Sequence, residues 1–177
     1  MSTWIFGYGS LIWNPGFNYQ EKSLASYMGW QRKFWQGSED HRGVPGAPGR
    51  VVTLVPGVSC DGMAYRLAEN QKVEILSMLD VREKGGYERV VAPLCLADGR
   101  TVEGITYIAS IDNPLFLGEA PVDEIVQQIA RSMGPSGSNG EYLLELASAF
   151  RELGIADEHV FELEQALLIK AGVEGMD

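Results

Sequence analysis

The spacing of apolar positions changes about two thirds of the way along the chain, from short runs to helical periods. Near the start, "WIFGYGS" is a short apolar run closed by glycines, which predicts a buried strand passing into a tight loop. "GWQRKFWQG" is aromatic-rich and bounded by glycines, and predicts a second strand. "RVVTLV" and "MAYRLA" predict further strands, with Pro56-Gly57 and Asp61-Gly62 as turn signals between them. The intervening "SEDHRGVPGAPGR" holds too much glycine and proline to be helical. In "NQKVEILSMLD", Val73, Leu76 and Leu79 fall at helical spacing. "YERVVAPLCLADGRTVEGITYIAS" reads as two strands joined by a two-residue hairpin at Asp98-Gly99, with Pro93 placing the first at a sheet edge or bulge.

Three helices are predicted to close the chain. The first opens at Pro121 and carries Val122, Ile125, Ile129 and Met133 on one face. The second has Ser138 and Glu141 in capping-box spacing and buries Leu143, Leu146, Phe150 and Leu153. The third is capped by Asp157, carries Val160, Leu163 and Leu167, and stops near Gly172. No repeat, linker or low-complexity tract interrupts this order, so the expectation is one α+β domain over residues 1–177.

Composition narrows the function classes. A length of 177 residues with 45% hydrophobic and 21% charged residues suits one domain with a real core. The net charge of −10 argues against nucleic acid, whose phosphates need a concentrated positive surface. An anionic substrate would have to be held by local cations or main-chain amides. Two cysteines, Cys60 and Cys95, are too few for a disulfide framework or a thiolate metal site, which points to a reducing, cytoplasmic setting. The apolar start "MSTWIFGYGSLIW" lacks a basic leader region and is too short to span a membrane, so no membrane partner is expected.

Candidate chemistry is found by elimination and then by texture. There is no phosphate loop, and Gly7-Tyr8-Gly9 lacks the later glycine of a dinucleotide fingerprint. The two histidines, His41 and His159, are not in metal-ligand spacing, and His159, in an acidic helical segment, reads as a solvated surface residue. No metal, nucleotide or redox cofactor is therefore expected. In "GYGSLIWNPGF" the glycines follow a strand, as a plain turn or as a cradle of amides for a carboxylate. "DVREKGGYERV" sets Glu83 between Arg82 and Lys84 before two glycines, either as a solvated charge cluster or at a loop mouth suited to catalysis. Glu74, on the preceding helix, reads as surface. The loop ending at Arg50 is either a lid, with Arg42 or Arg50 meeting an acid, or a plain crossing. "GPSGSNGEYLLEL" is a good helix start whose N-terminus favours anions.

"FGYGSLIW", "FWQGSEDHRGVPGAPGRVVTL", "LDVREKGGYERV" and "GPSGSNGEYLLEL", in that order, resemble the ChaC-type γ-glutamylcyclotransferases that act on glutathione. The likeness runs from about Trp4 through the last helix. It implies an α+β domain on a small, partly closed mixed β-barrel with surrounding helices. It also implies a substrate loop of Ile5, Phe6, Gly7, Tyr8, Gly9, Ser10 and Leu11, and Glu83 as the acid–base residue. Arg50 and Tyr142 lie in matching segments and are further candidates for substrate contact. The implied partner is glutathione, with no cofactor. A broader γ-glutamyl specificity, or a non-enzymatic regulatory protein of the same fold, are the alternatives.

The implied reaction suits these residue types. A γ-glutamyl amide carries its own nucleophile, an α-amine that can close a five-membered ring on the δ-carbonyl. Orientation of such an internal attack supplies roughly 7–11 kcal/mol of a barrier. A carboxylate can take the ammonium proton and return a proton to the leaving amine, provided partial desolvation raises its proton affinity. Arg82 and Lys84 would oppose that rise, so both are expected to turn outward from Glu83.

Overall fold

The computed structural model describes residues 2–174 and divides them into two compact units. The first takes the chain up to Arg32 together with Thr53–Pro114, and the second takes Lys33–Val52 and the chain from Leu115 onward.

A closed barrel of five strands forms the first unit's framework. The strands are β1 (Trp4–Gly7), β2 (Glu21–Ser38), β3 (Gly49–Arg66), β4 (Tyr87–Leu96) and β5 (Thr101–Ala109). Their order around the barrel is β1-β3-β2-β4-β5. It is mixed, because β1 runs antiparallel to β3 and parallel to β5. The resemblance implied a partly closed barrel; this one is closed. Helix α1 (Lys72–Arg82) buries Ile75, Leu76 and Leu79 in a cluster with Ile5, Leu11, Leu67 and Tyr107. Val73 was expected on that face but is 77% exposed. Ile75 and Leu79, four residues apart, define the buried stripe, and Val73 falls outside it.

Both long strands exceed their expected limits. β2 extends well beyond "GWQRKFWQG" at its N-terminal end, and β3 runs unbroken for 18 residues through Pro56-Gly57 and Asp61-Gly62. Those pairs are not turns. A Cβ on Gly62 would stand 2.4 Å from the Gly7 carbonyl oxygen, and one on Gly57 would stand 2.5 Å from Gln31 Cγ. The glycines are there for close approach, a second use that the same residue has in strands. Gly62→Ala should accordingly destabilise the protein by about 1–3 kcal/mol, the usual cost of overpacking. The check is a denaturant midpoint, and an unchanged midpoint would show that the backbone yields freely.

The β4–β5 connection is one residue longer than the expected two-residue turn. Leu96 donates its N–H to the Arg100 carbonyl at 2.8 Å, and Gly99 donates to the Leu96 carbonyl at 3.0 Å. Residues 97–99 thus form a three-residue loop, with Gly99 at φ +89° supplying the left-handed step such loops require. Pro93 stands exposed in β4, outside the described β2 pairing at Cys95 and Leu96.

The second unit contains helices α2 (Val122–Arg131), α3 (Asn139–Leu153) and α4 (Glu158–Glu174), and a two-stranded ribbon of β6 (Met133–Gly134) and β7 (Gly137–Ser138). Ile125, Val126 and Ile129 form the buried face of α2. Met133, expected on that face, has left the helix for β6 and is 67% exposed. Ser138 caps α3 by accepting the Glu141 N–H at 3.1 Å, and Asp157 caps α4 by accepting the Val160 N–H at 3.1 Å. Leu143, Leu146 and Phe150 are buried as expected, whereas Leu153 is half-buried. His159 is not a solvated residue: its Nε2 accepts the Phe34 N–H at 3.0 Å. No helix among the described residues is long and apolar enough to cross a membrane.

Candidate active site

The glycine loop grows out of a fully buried strand. All four residues of β1 are buried, and the strand is paired on both sides, with β3 and with β5. Ile5 and Phe6 are therefore core side chains, and the Phe6 carbonyl accepts a hydrogen bond from Thr106 Oγ1 at 3.0 Å. The chain then folds into one 3-10 turn, Ser10–Ile12, closed by Ile12 N–H to the Gly9 carbonyl at 2.9 Å. Leu11 drops into the core cluster, while Gly9 and Ser10 remain half-buried at the tip.

Three buried polar side chains hold this loop. Tyr8 donates its hydroxyl to the Tyr107 carbonyl at 2.6 Å, and its own carbonyl accepts from Arg32 Nε at 2.6 Å. The Tyr65 hydroxyl donates to the carbonyls of Leu11 and Ile12, at 2.8 and 3.2 Å. Burial, reinforced by neighbouring Tyr19, pushes the Tyr65 hydroxyl well above its ordinary value, so it stays a donor across the useful pH range. The Tyr107 hydroxyl, raised by burial and then by its bond to Asp80, donates to that carboxylate at 2.7 Å. Asp80 is in turn held below the usual carboxylate range, first by that hydrogen bond and also by Arg89.

Glu83 sits where α1 gives way to β4. As the helix C-cap it donates its N–H to the Leu79 carbonyl at 2.8 Å and accepts from the Tyr87 N–H at 3.3 Å. Its side chain is only 18% exposed. Glu74 lies exposed on the same helix, as expected, and Lys84 points to solvent.

Arg82 overturns the expectation that it turns outward. Its Nε lies 3.6 Å from Glu83 Oε1. Its Nη2 donates to Ser10 Oγ at 2.9 Å, and its Nη1 donates to the carbonyls of Asn14 and Pro15 at 3.0 and 3.2 Å. The physical reason is that the carbonyls of the loop leaving Ser10 need donors, and a guanidinium at the helix end supplies several at once. The arginine thereby joins two segments 72 residues apart in sequence, the glycine loop and the "REKGG" turn.

Arg50 and Tyr142 belong to the second unit and are engaged there. Arg50 is buried, with Nε donating to Gln128 Oε1 at 2.8 Å and Nη1 to the carbonyls of Phe34 and Gly118, each at 3.0 Å. Its burial lowers the proton affinity of the guanidinium. The Tyr142 hydroxyl accepts the Val52 N–H at 3.4 Å, and its ring packs edge-on against Phe34. Arg42 of the Gly/Pro loop does meet an acid, Glu141 at 3.0 Å, and also donates to the Ser138 carbonyl at 3.0 Å. Arg32, Tyr65 and Tyr107 escaped the sequence reading, because each looks like an ordinary residue of an amphipathic strand. Among the described residues no group of three or more His, Cys, Asp or Glu is placed to hold a metal ion.

Comparison with known proteins places this arrangement. The solved structure of a yeast γ-glutamylcyclotransferase specific to glutathione superposes with a TM-score of 0.89 at 30% identity, covering 94% of this chain and 95% of that one. The fold is that of the γ-glutamylcyclotransferases. The model of the ChaC-like protein family matches residues 3–170, and the chain belongs to that family. Glutathione-specific gamma-glutamylcyclotransferase 1 of Danio rerio is 43% identical, covering 94% of this chain and 89% of its own. Gamma-glutamylcyclotransferase 2-3 of Arabidopsis thaliana is 42% identical, covering 92% and 87%.

Proposed function

We propose that this chain cleaves glutathione to 5-oxoproline and cysteinylglycine, with Glu83 moving the protons. The observation that carries the reading is the meeting of a sheltered carboxylate, Glu83, with the Ser10 loop through one arginine. In the reaction the substrate's α-amine nitrogen bonds to its own δ-carbon, and the bond from that carbon to the cysteinyl nitrogen breaks. Glu83 takes a proton from the α-ammonium before attack and passes it to the departing nitrogen. The ring nitrogen then sheds a second proton, which the released cysteinyl amine takes up as it becomes an ammonium, so the carboxylate ends as it began. The loop from Ile5 to Leu11 holds the bent γ-glutamyl group. Its amides serve the α-carboxylate or the oxyanion that develops on the δ-carbonyl.

Glutathione is the substrate favoured by the likeness to the relatives named for it, whereas the Arabidopsis thaliana relative's name specifies no γ-glutamyl partner. Two cysteines, too few for a disulfide framework, support a reducing, cytoplasmic setting. The family match running from residue 3 to residue 170 supports treating both compact units as one functional domain.

The test is direct. Purified protein, exhaustively chelated, is incubated with glutathione and 5-oxoproline is measured. Undiminished turnover is expected, since the substrate supplies the nucleophile and a carboxylate supplies the proton transfer. A requirement for a divalent ion would sink this mechanism. Parallel assays with γ-glutamylalanine measure specificity, and equal rates would favour the broader γ-glutamyl reading.

A further inference from the structure

We infer that Arg82 is a positioning residue for this reaction, a rigid spacer that sets the distance between the glycine loop and the Glu83 carboxylate. The inference rests on the reading of Glu83 as the acid–base residue. A guanidinium is planar with fixed N–H directions, so groups bound along its different edges are held at a set separation. Here one edge faces Glu83 Oε1 at 3.6 Å. Another donates to Ser10 Oγ at 2.9 Å, and Nη1 reaches the Asn14 carbonyl at 3.0 Å. The last two contacts grip both ends of the segment from Ser10 to Asn14. A Cβ on Gly16 would already come within 3.4 Å of Nη1, so the following residues are packed onto the same group. One side chain therefore supplies polar contacts from the end of α1 to the loop, beside the packing of Leu11 on the same helix.

In this reading Arg82 exchanges no proton with the substrate, and its effect passes through Glu83. Misplacing a catalytic group by about 1 Å can cost on the order of 10²-fold. The experiment measures kcat and KM for glutathione in the unaltered protein, Arg82→Gln, Glu83→Gln and the double variant, with folding checked by thermal unfolding. Arg82→Gln should lower kcat by about 10–100-fold, with the smaller part of the loss in KM. Added to Glu83→Gln it should cost less than about 3-fold, because no base remains to be misplaced. An equal loss in both backgrounds marks a merely structural role and overturns the inference, as does unaltered kcat in folded Arg82→Gln.

Should Arg82→Gln not fold, Arg82→Lys replaces it, keeping the charge and the stem. A single ammonium cannot hold Ser10 Oγ and the Asn14 carbonyl while facing Glu83, so the same kcat loss is expected. Unaltered kcat in folded Arg82→Lys then overturns the inference. Normal turnover in folded Glu83→Gln overturns the assignment of Glu83 and this inference with it. That result is distinct from loss in Glu83→Gln with no loss at Arg82.

Discussion

Glu83→Gln is expected to lower glutathione turnover by about 10²–10⁴-fold, the usual range for removing a general acid–base group. Glutamine keeps the size of the side chain and most of its hydrogen-bonding capacity, but its neutral amide cannot accept the ammonium proton. Folding should survive, because Glu83 caps α1 through its main chain: its N–H reaches the Leu79 carbonyl at 2.8 Å whatever the side chain is. Substrate binding should change little, since the loop from Ile5 to Leu11 is held by Tyr8, Tyr65 and Arg32 rather than by Glu83. Glu74→Gln serves as the control. It lies exposed on the same helix, and its replacement should leave turnover within about 2-fold, as surface substitutions away from a site usually do. A folded Glu83→Gln protein with near-normal turnover would show the catalytic assignment to be wrong.

The largest effect on stability is expected at Asn139. Its side chain is 0% exposed and makes both bonds of a main-chain partner. Oδ1 accepts the Arg50 N–H at 2.6 Å, and Nδ2 donates to the Arg50 carbonyl at 2.7 Å. Asn139→Leu matches the volume but strands two buried main-chain groups. Each costs about 1–3 kcal/mol, so a loss of about 2–6 kcal/mol is expected. That is a large fraction of the roughly 5–15 kcal/mol that holds a protein of this kind folded. Ser138→Ala, one residue earlier, removes only the α3 cap and should cost about 1 kcal/mol. Urea unfolding of the two variants side by side checks the ranking. A smaller loss at Asn139 than at Ser138 would mean that water reaches the stranded main-chain N–H and carbonyl of Arg50.

The cap and the cross-link at adjacent positions illustrate how differently two kinds of information are written in a chain. Ser138 was legible as a cap because its partner, Glu141, lies three residues away. Asn139 was illegible because its partner lies 89 residues away in sequence. The same contrast separates the glycines. Gly99 acts within its own loop, as the hairpin signal implies, although the loop has three residues and not two. Gly62 acts against the carbonyl of Gly7, so reading it as a local turn failed. His159 and Met133 follow suit, each redirected by where the chain around it goes.

The two segments that carry the proposed chemistry stood out only through a family resemblance, whereas the sequence by itself determined the passage from strands to helices and the caps of α3 and α4. These depend on residues within a turn or a strand of one another, and local periodicity reports them directly. Only the tertiary structure decided that the barrel closes, that β3 runs unbroken, and that Arg50 is held by Gln128 and two carbonyls. It also decided the direction of Arg82. Beside Glu83 in sequence, that arginine reads as one more solvated charge. In the fold, carbonyls and a hydroxyl from residues far back in the chain surround it and need its donors. A charged side chain goes where its hydrogen-bond partners are, and distant partners leave no trace in the local pattern.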